Sequence, residues 1–242
     1  LKKKQIDLVK DIILNTKSKK FAYKNLDYVK DFGTPSRIQQ VRKEIKKIKN
    51  LKKKIAVFLD RDGVINKEVG PVTKIKNFEI IDGVGKAIKK LNKNFIPCFM
   101  VSNQAGVAKR KIKIKDLNLI HSHLDKYLSK YGAYIDDYII CPNSKNKKID
   151  IKNYSFFCNK PKPDTQMIDI LAKRHSINLK KSYLIGDSDL DILCGEKRKM
   201  KTILIDSPRK KKFTLKIKPN IKAKSLYQAI NKITKNEKIF IS

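Results

Sequence analysis

Two aspartates one residue apart close an apolar run in Phe58-Leu59-Asp60-Arg61-Asp62-Gly63-Val64-Ile65-Asn66. On a strand, residues i and i+2 share a direction, and a glycine after them lets the backbone turn away beneath. Both acids can then face one pocket. One carboxylate can attack phosphorus and ligate a metal, while the other, protonated, gives its proton to the leaving oxygen. Standing alone, D-x-D-G also reads as a strand that ends in a solvated turn.

Three further elements follow in order. Val101-Ser102-Asn103-Gln104-Ala105-Gly106 offers hydroxyl, amide and backbone N–H groups that suit phosphoryl oxygens. Lys160, in Asn159-Lys160-Pro161-Lys162-Pro163, precedes a predicted helix, and the flanking prolines fix the chain so that a cation can reach the same oxygens. Tyr183-Leu184-Ile185-Gly186-Asp187-Ser188-Asp189-Leu190-Asp191 repeats the strand, glycine and acid arrangement and supplies oxygen ligands for Mg²⁺. Each element is weak by itself, and a lone lysine in this chain means nothing. Their order carries the reading.

These residues need elements to hold them. From Ile55 onward, short apolar runs alternate with amphipathic segments, the pattern of βαβ units. The runs predict strands over 55–59, 96–101, 135–140, 182–185 and 202–205, and helices over 83–92, 115–130, 165–175, 189–197 and 225–235. The fold class is therefore α/β, a mainly parallel sheet flanked by helices. Each motif falls just after a strand or at a helix start, where open α/β sheets bind ligands. Before Ile55 the helical periodicity is weak (Ile6, Val9, Ile12, Ile13, then Ile38, Val41, Ile45, Ile48) and is broken at Asp31-Phe32-Gly33-Thr34-Pro35. Residues 1–50 read as a short helical extension, 53–235 as the main domain and 236–242 as a tail.

Composition sets limits. A chain of 242 residues with 40% hydrophobic content can bury a sizeable core. Its longest apolar runs fall far short of the roughly 20 residues of a membrane span, and no secretory signal is visible, so the expected compartment is the cytoplasm. Cys98, Cys141, Cys158 and Cys194 are too scattered for a disulfide framework and are expected as thiols. The net charge of +35 suggests a polyanion partner, yet only seven of the 58 basic residues are Arg. A Lys-, Asn- and Ile-rich chain points to AT-rich codons rather than a dedicated nucleic-acid surface, with nonspecific polyanion binding at low salt.

The four ordered motifs, over roughly 53–235, resemble the haloacid dehalogenase (HAD) superfamily of phosphatases. L-D-R-D-G-V-I-N, S-N-Q-x-G, K-P-K-P and I-G-D look most like its heptose-bisphosphate and histidinol-phosphate phosphatase branch. The resemblance implies a Rossmann-like HAD core and a Mg²⁺-dependent phosphomonoesterase acting on a small phosphorylated sugar, foremost a heptose bisphosphate at its 7-phosphate. It also implies roles. Asp60 would be the phosphoaspartyl-forming nucleophile and Asp62 the general acid and later base. Ser102 and Asn103 would hold the phosphoryl oxygens and Lys160 would neutralise them. Asp187 would bind Mg²⁺ with the Asp60 carboxylate and the Asp62 main-chain carbonyl, and Asp191 would support them from behind. Mg²⁺ and Lys160 would offset the repulsion between a phosphate ester and a carboxylate.

Two departures bear on the substrate. The branch often carries a zinc loop of pattern C-x-H then C-x-C; here Cys141 and Cys158 fall at two positions while Asn143 and Phe156 replace the others, so zinc is not expected. Asn159 stands where an arginine commonly precedes the motif lysine. His121, His123 and His175 are assigned to structure or surface. Separately, Tyr28 to Arg37 resembles the D-x-G-T-P-x-R ending of sugar-phosphate nucleotidyltransferases. Position 1 is Leu and the first Met is Met100, so the expectation is a fragment of a fused protein in which a transferase precedes the phosphatase, with a non-ATG start as the alternative. The rival activities are histidinol-phosphate phosphatase and nucleic-acid 3′-phosphatase; a degenerate scaffold is the non-enzymatic alternative.

Overall fold

Six short strands form one all-parallel sheet: β1 (Val57–Leu59), β2 (Cys98–Asn103), β3 (Asp137–Cys141), β4 (Tyr183–Gly186), β5 (Lys201–Ile205) and β6 (Ile221–Ala223). Their order across the sheet is β3-β2-β1-β4-β5-β6. Helices α1 (Val84–Lys93), α2 (Ile114–Lys130), α3 (Gln166–His175), α4 (Asp189–Glu196) and α5 (Leu226–Asn236) make up the layers. The computed structural model describes residues 15, 34–40, 55–144, 146–151, 155–206 and 217–236. Contacts divide the chain into two units, Leu1–Lys49 and Asn50–Ser242.

Both faces of the sheet are covered, as continuous apolar strands require. Val57 and Leu59 of β1 pack on one core with Cys98 and Met100 of β2. Ala56, Phe58, Phe99 and Val101, pointing the other way, belong to a second. The first core is closed by α1, α2 and α5, through Leu91, Leu124 and Ile230 among others. The second is closed by α3 and α4, through Met167, Leu171 and Cys194.

The expected strands and helices of the main domain all overlap observed ones, and the sheet gains a sixth strand, β6, that the periodicity did not show. Ile221-Lys222-Ala223 is short, with a lysine at its centre, and its partner β5 is what makes it a strand. Of the N-terminal expectations, most of the helical periodicity and the start of the Asp31 to Pro35 turn lie outside the described residues, as does the tail beyond Asn236. Within 34–40 a helical turn begins after Thr34, whose Oγ1 accepts from Arg37 N–H at 3.4 Å. Among the described residues, no helix is long and apolar enough to cross a membrane.

Candidate active site

From β1 the chain builds outward through β2 to β3 on one side and through β4 and β5 to β6 on the other. Such a reversal opens a crevice above the carboxyl ends of the flanking strands. Asp60 follows β1, Ser102 and Asn103 end β2, and Asp187 follows β4. The main-chain N–H of Asp60 donates to Ile185 O at 2.9 Å, which ties the first acid to the strand that carries the later ones.

Asp60, Asp187 and Asp191 are all buried and bring one oxygen each within 4.8 Å of one another. Glycine makes the approach possible at two points. Gly63 turns at φ +85°, and a Cβ there would collide with Asp187 Oδ2; a Cβ on Gly186 would overlap the Asp191 side chain. Asp191 closes a capping box with Ser188 at the start of α4. Burial pushes the Asp60 carboxyl up to about 7; Lys162 opposes this, while Asp191, Asp187 and Asp62 add to it. Three crowded hard-oxygen donors with a single lysine among them are a donor set that fits Mg²⁺. Asp62 contributes no carboxylate oxygen to that cluster.

At the third motif Lys162, not Lys160, lies beside the acids. Lys160, expected to reach the phosphoryl oxygens, is exposed, and its Nζ lies 4.0 Å from Asp164. Lys162 is the buried one: its Nζ is 2.9 Å from Asp60 Oδ1, 2.6 Å from Asp191 Oδ1 and 3.1 Å from Val101 O. The cause lies in the main chain. Asn103 Oδ1 accepts from Lys162 N–H at 2.9 Å and Asn103 Nδ2 donates to Lys162 O at 3.1 Å, which seats that residue against β2. Lys160 N–H instead donates outward to Gln166 Oε1 at 2.9 Å. The acids beside Lys162 raise its pKa above the ordinary value despite the cost of burial, so it is a permanent cation.

Asp62 faces a different set of partners. Arg61, fully buried, grips it through Nε at 3.2 Å and Nη2 at 2.9 Å to Oδ1, and Asn66 Nδ2 donates to the same oxygen at 2.9 Å. Gln104 Nε2 donates to Oδ2 at 2.6 Å. Burial alone would push this carboxyl up, but the Arg61 charge and the bonds from Asn66, Arg61 and Gln104 hold it below the usual carboxylate range. Arg61 and Gln104 were not singled out in the sequence as site residues. Their signal was only that they stand beside ones that were.

Ser102 is buried, and its Oγ accepts from Gln104 Nε2 at 2.9 Å. Cys141 and Cys158, the two half-matching zinc positions, are buried free thiols whose Sγ–H groups donate to Asn143 O at 4.0 Å and to Lys160 O at 3.5 Å, and their interaction lowers the Cys141 pKa and raises that of Cys158. Asn143 Oδ1 accepts from Ile149 N–H at 2.9 Å, and Phe156 meets Phe157 edge-on with ring centroids 4.6 Å apart. His175 packs 4.8 Å from the Phe99 ring and bonds Asp137. His121 is buried behind Arg61 and Asp62; burial first and the Arg61 charge second push it down to about 3, which keeps it neutral.

Comparison with known proteins follows the same lines. The HAD-hydrolase-like family model matches residues 159–229. D-glycero-D-manno-heptose-1,7-bisphosphate 7-phosphatase of Thermosynechococcus vestitus is 34% identical over 139 residues, 57% of this chain and 71% of that protein. The D-glycero-beta-D-manno-heptose-1,7-bisphosphate 7-phosphatase of Haemophilus ducreyi is 33% identical over 150 residues, 62% of this chain and 81% of that one. Among solved structures, the D,D-heptose 1,7-bisphosphate phosphatase of B. bronchiseptica, crystallised with magnesium and phosphate, superposes with a TM-score of 0.66 at 20% identity, covering 75% of this chain and 99% of that one. That likeness establishes the fold, and identity of this extent with curated relatives establishes more: the chain is a phosphatase of the HAD superfamily and belongs to the heptose-1,7-bisphosphate 7-phosphatase family.

Proposed function

We propose that the chain hydrolyses D-glycero-D-manno-heptose 1,7-bisphosphate at the 7-phosphate, with Mg²⁺, through a phosphoaspartyl intermediate on Asp60. The observation that carries the chemistry is the pairing of a buried, cation-contacted Asp60 with a separately held Asp62 across one crevice. The curated relatives carry the substrate.

Asp60 attacks phosphorus, and the bond from phosphorus to the sugar oxygen breaks. Asp62 gives that oxygen its proton. Although Asp62 rests ionised, a phosphate arriving beside it brings negative charge that favours the protonated form. Water then attacks the phosphoryl group on Asp60 while Asp62, again a carboxylate, takes its proton. Lys162 neutralises Asp60 and the phosphoryl oxygens, the role the family resemblance had placed on Lys160. Ser102 Oγ–H and the second amide hydrogen of Asn103 hold those oxygens. The Asp60 and Asp187 carboxylates and the Asp62 carbonyl would hold Mg²⁺, which would supply Lewis-acid stabilisation of the phosphoryl charge. Asp191 fixes Lys162 from behind. Four buried free thiols suit a reducing, cytoplasmic setting.

Side-by-side hydrolysis of heptose 1,7-bisphosphate, histidinol phosphate and a 3′-phosphorylated oligonucleotide in Mg²⁺ tests the assignment. The largest kcat/KM is expected for the heptose ester. A preference for histidinol phosphate or for the oligonucleotide ends it.

A further inference from the structure

Gln104 is buried, lies outside the acid cluster, and uses all of its polar atoms inside the crevice. Its Oε1 accepts from Arg61 Nη2 at 2.9 Å, and its Nε2 donates to Asp62 Oδ2 at 2.6 Å and to Ser102 Oγ at 2.9 Å. The orientation of the amide is forced. A guanidinium can only donate, so the carbonyl end must face Arg61 and the NH₂ end must face the two acceptors. Ser102 Oγ, accepting from Gln104, therefore has its own hydrogen directed elsewhere. Asp62 Oδ2 is held at a fixed distance from the same nitrogen that holds Ser102.

We infer that Gln104 is a positioning residue that sets the Asp62 carboxyl in register with the Ser102 end of β2, so that proton delivery lines up with a phosphoryl group seated there. The inference rests on the phosphomonoesterase reading above and adds a residue to it. Arg61 and Asn66 anchor Asp62 from its own loop, both through Oδ1, with Arg61 Nη2 also 3.0 Å from Oδ2. Gln104, the residue directly after β2, bonds Asp62 from the other side, and through Ser102 Oγ it ties the acid to the strand that carries Ser102 rather than to the loop that carries Asp62.

The leaving group separates this role from a structural one. An alkyl alcohol needs a proton as it departs, whereas 4-nitrophenolate leaves without one, so a misplaced acid slows phosphoryl transfer from the first ester and spares transfer from the second; kcat/KM reads this step apart from the water attack common to both. The experiment measures kcat and KM for ribose 5-phosphate, heptose 1,7-bisphosphate and 4-nitrophenyl phosphate with the full chain, Gln104→Met and Gln104→Asn. Gln104→Met keeps the volume and removes the amide; Gln104→Asn keeps the amide on a side chain one methylene too short to span both partners.

For both variants, kcat/KM on the sugar phosphates is expected to fall about tenfold or more, while kcat/KM on 4-nitrophenyl phosphate stays within about threefold. An equal loss on both ester classes, or no loss on either, overturns the inference while wild-type activity leaves the phosphatase reading standing. Should one variant fail to melt cooperatively, the other decides. Wild-type protein that hydrolyses none of the three esters overturns the phosphatase reading and this inference with it.

Discussion

Lys162 Nζ lies 2.9 Å from Asp60 Oδ1 and 2.6 Å from Asp191 Oδ1, so one buried ammonium joins the acid after β1 to the acid at the start of α4. Fully buried pairs of this kind contribute little net stability against an apolar replacement, but removing one partner leaves uncompensated charge. Here the charge left behind would be two carboxylates with a third, Asp187, beside them.

Lys162→Met is therefore expected to cost about 3 kcal/mol or more of stability in metal-free buffer and to lower kcat by roughly 10²-fold or more in Mg²⁺. Lys160→Ala, at an exposed position, should stay within about threefold of wild type in kcat and KM. Thermal melts and steady-state kinetics of the two variants check the assignment. The reverse ranking would return the phosphoryl-neutralising role to Lys160.

The raised Asp60 carboxyl predicts how metal and protons compete. Its folded-state value of about 7 lies above the unfolded value of roughly 3.9, so between these limits the folded state binds more protons. The contribution of Asp60 to stability is full below about pH 4 and is lost as pH rises through about 7. Asp62, whose carboxyl is depressed, contributes with the opposite sign, and only below that window. Mg²⁺ should raise the Tm more at pH 7.5 than at pH 5, because at the lower pH a proton already offsets the crowding. A Mg²⁺ shift of equal size at both pH values would contradict a metal site built on Asp60.

Gly63→Ala tests the crevice floor. The added methyl would sit at φ +85° and meet Asp187 Oδ2. The expected outcome is a loss of about 1–3 kcal/mol from backbone strain, and an apparent Mg²⁺ affinity, read from activity titration, weakened about tenfold or more. Unchanged metal dependence in a folded variant would show that Asp187 does not approach the site over Gly63.

Disrupting the cap beneath Lys162 should act at a distance from the chemistry. Ser188→Ala removes a side chain that bonds Asp191 but touches neither Asp60 nor Lys162 in the contacts above. A loss of about 1 kcal/mol in stability with kcat changed only a fewfold is expected from the cap alone. A collapse of kcat as large as that of Lys162→Met would instead place Ser188 in the reacting machinery.

The sheet was readable because its strands are buried on both faces and so are continuous apolar runs, such as Ile55 to Leu59. β6 was not, because Ile221-Lys222-Ala223 has no pattern of its own and is a strand only beside β5. Asp60 and Asp187 were readable for a similar reason: each directly follows a strand and has a glycine close by in sequence, and the missing Cβ of Gly63 and of Gly186 lets Asp187 and Asp191 approach. Lys162 was not, since two lysines alternate with prolines and the choice between them is made by Asn103, 59 residues earlier. Gln104 shows the same limit, because its partners Asp62 and Arg61 come from another strand end.

The claim on which the rest depends is that phosphorus is transferred to Asp60. Borohydride quenching of the wild-type enzyme during turnover of heptose 1,7-bisphosphate, followed by peptide mass spectrometry, reads this directly, since an acyl phosphate is reduced to the alcohol. The account predicts homoserine at position 60 and nowhere else, dependent on substrate and Mg²⁺. An unmodified Asp60 in enzyme trapped while actively releasing phosphate would contradict it.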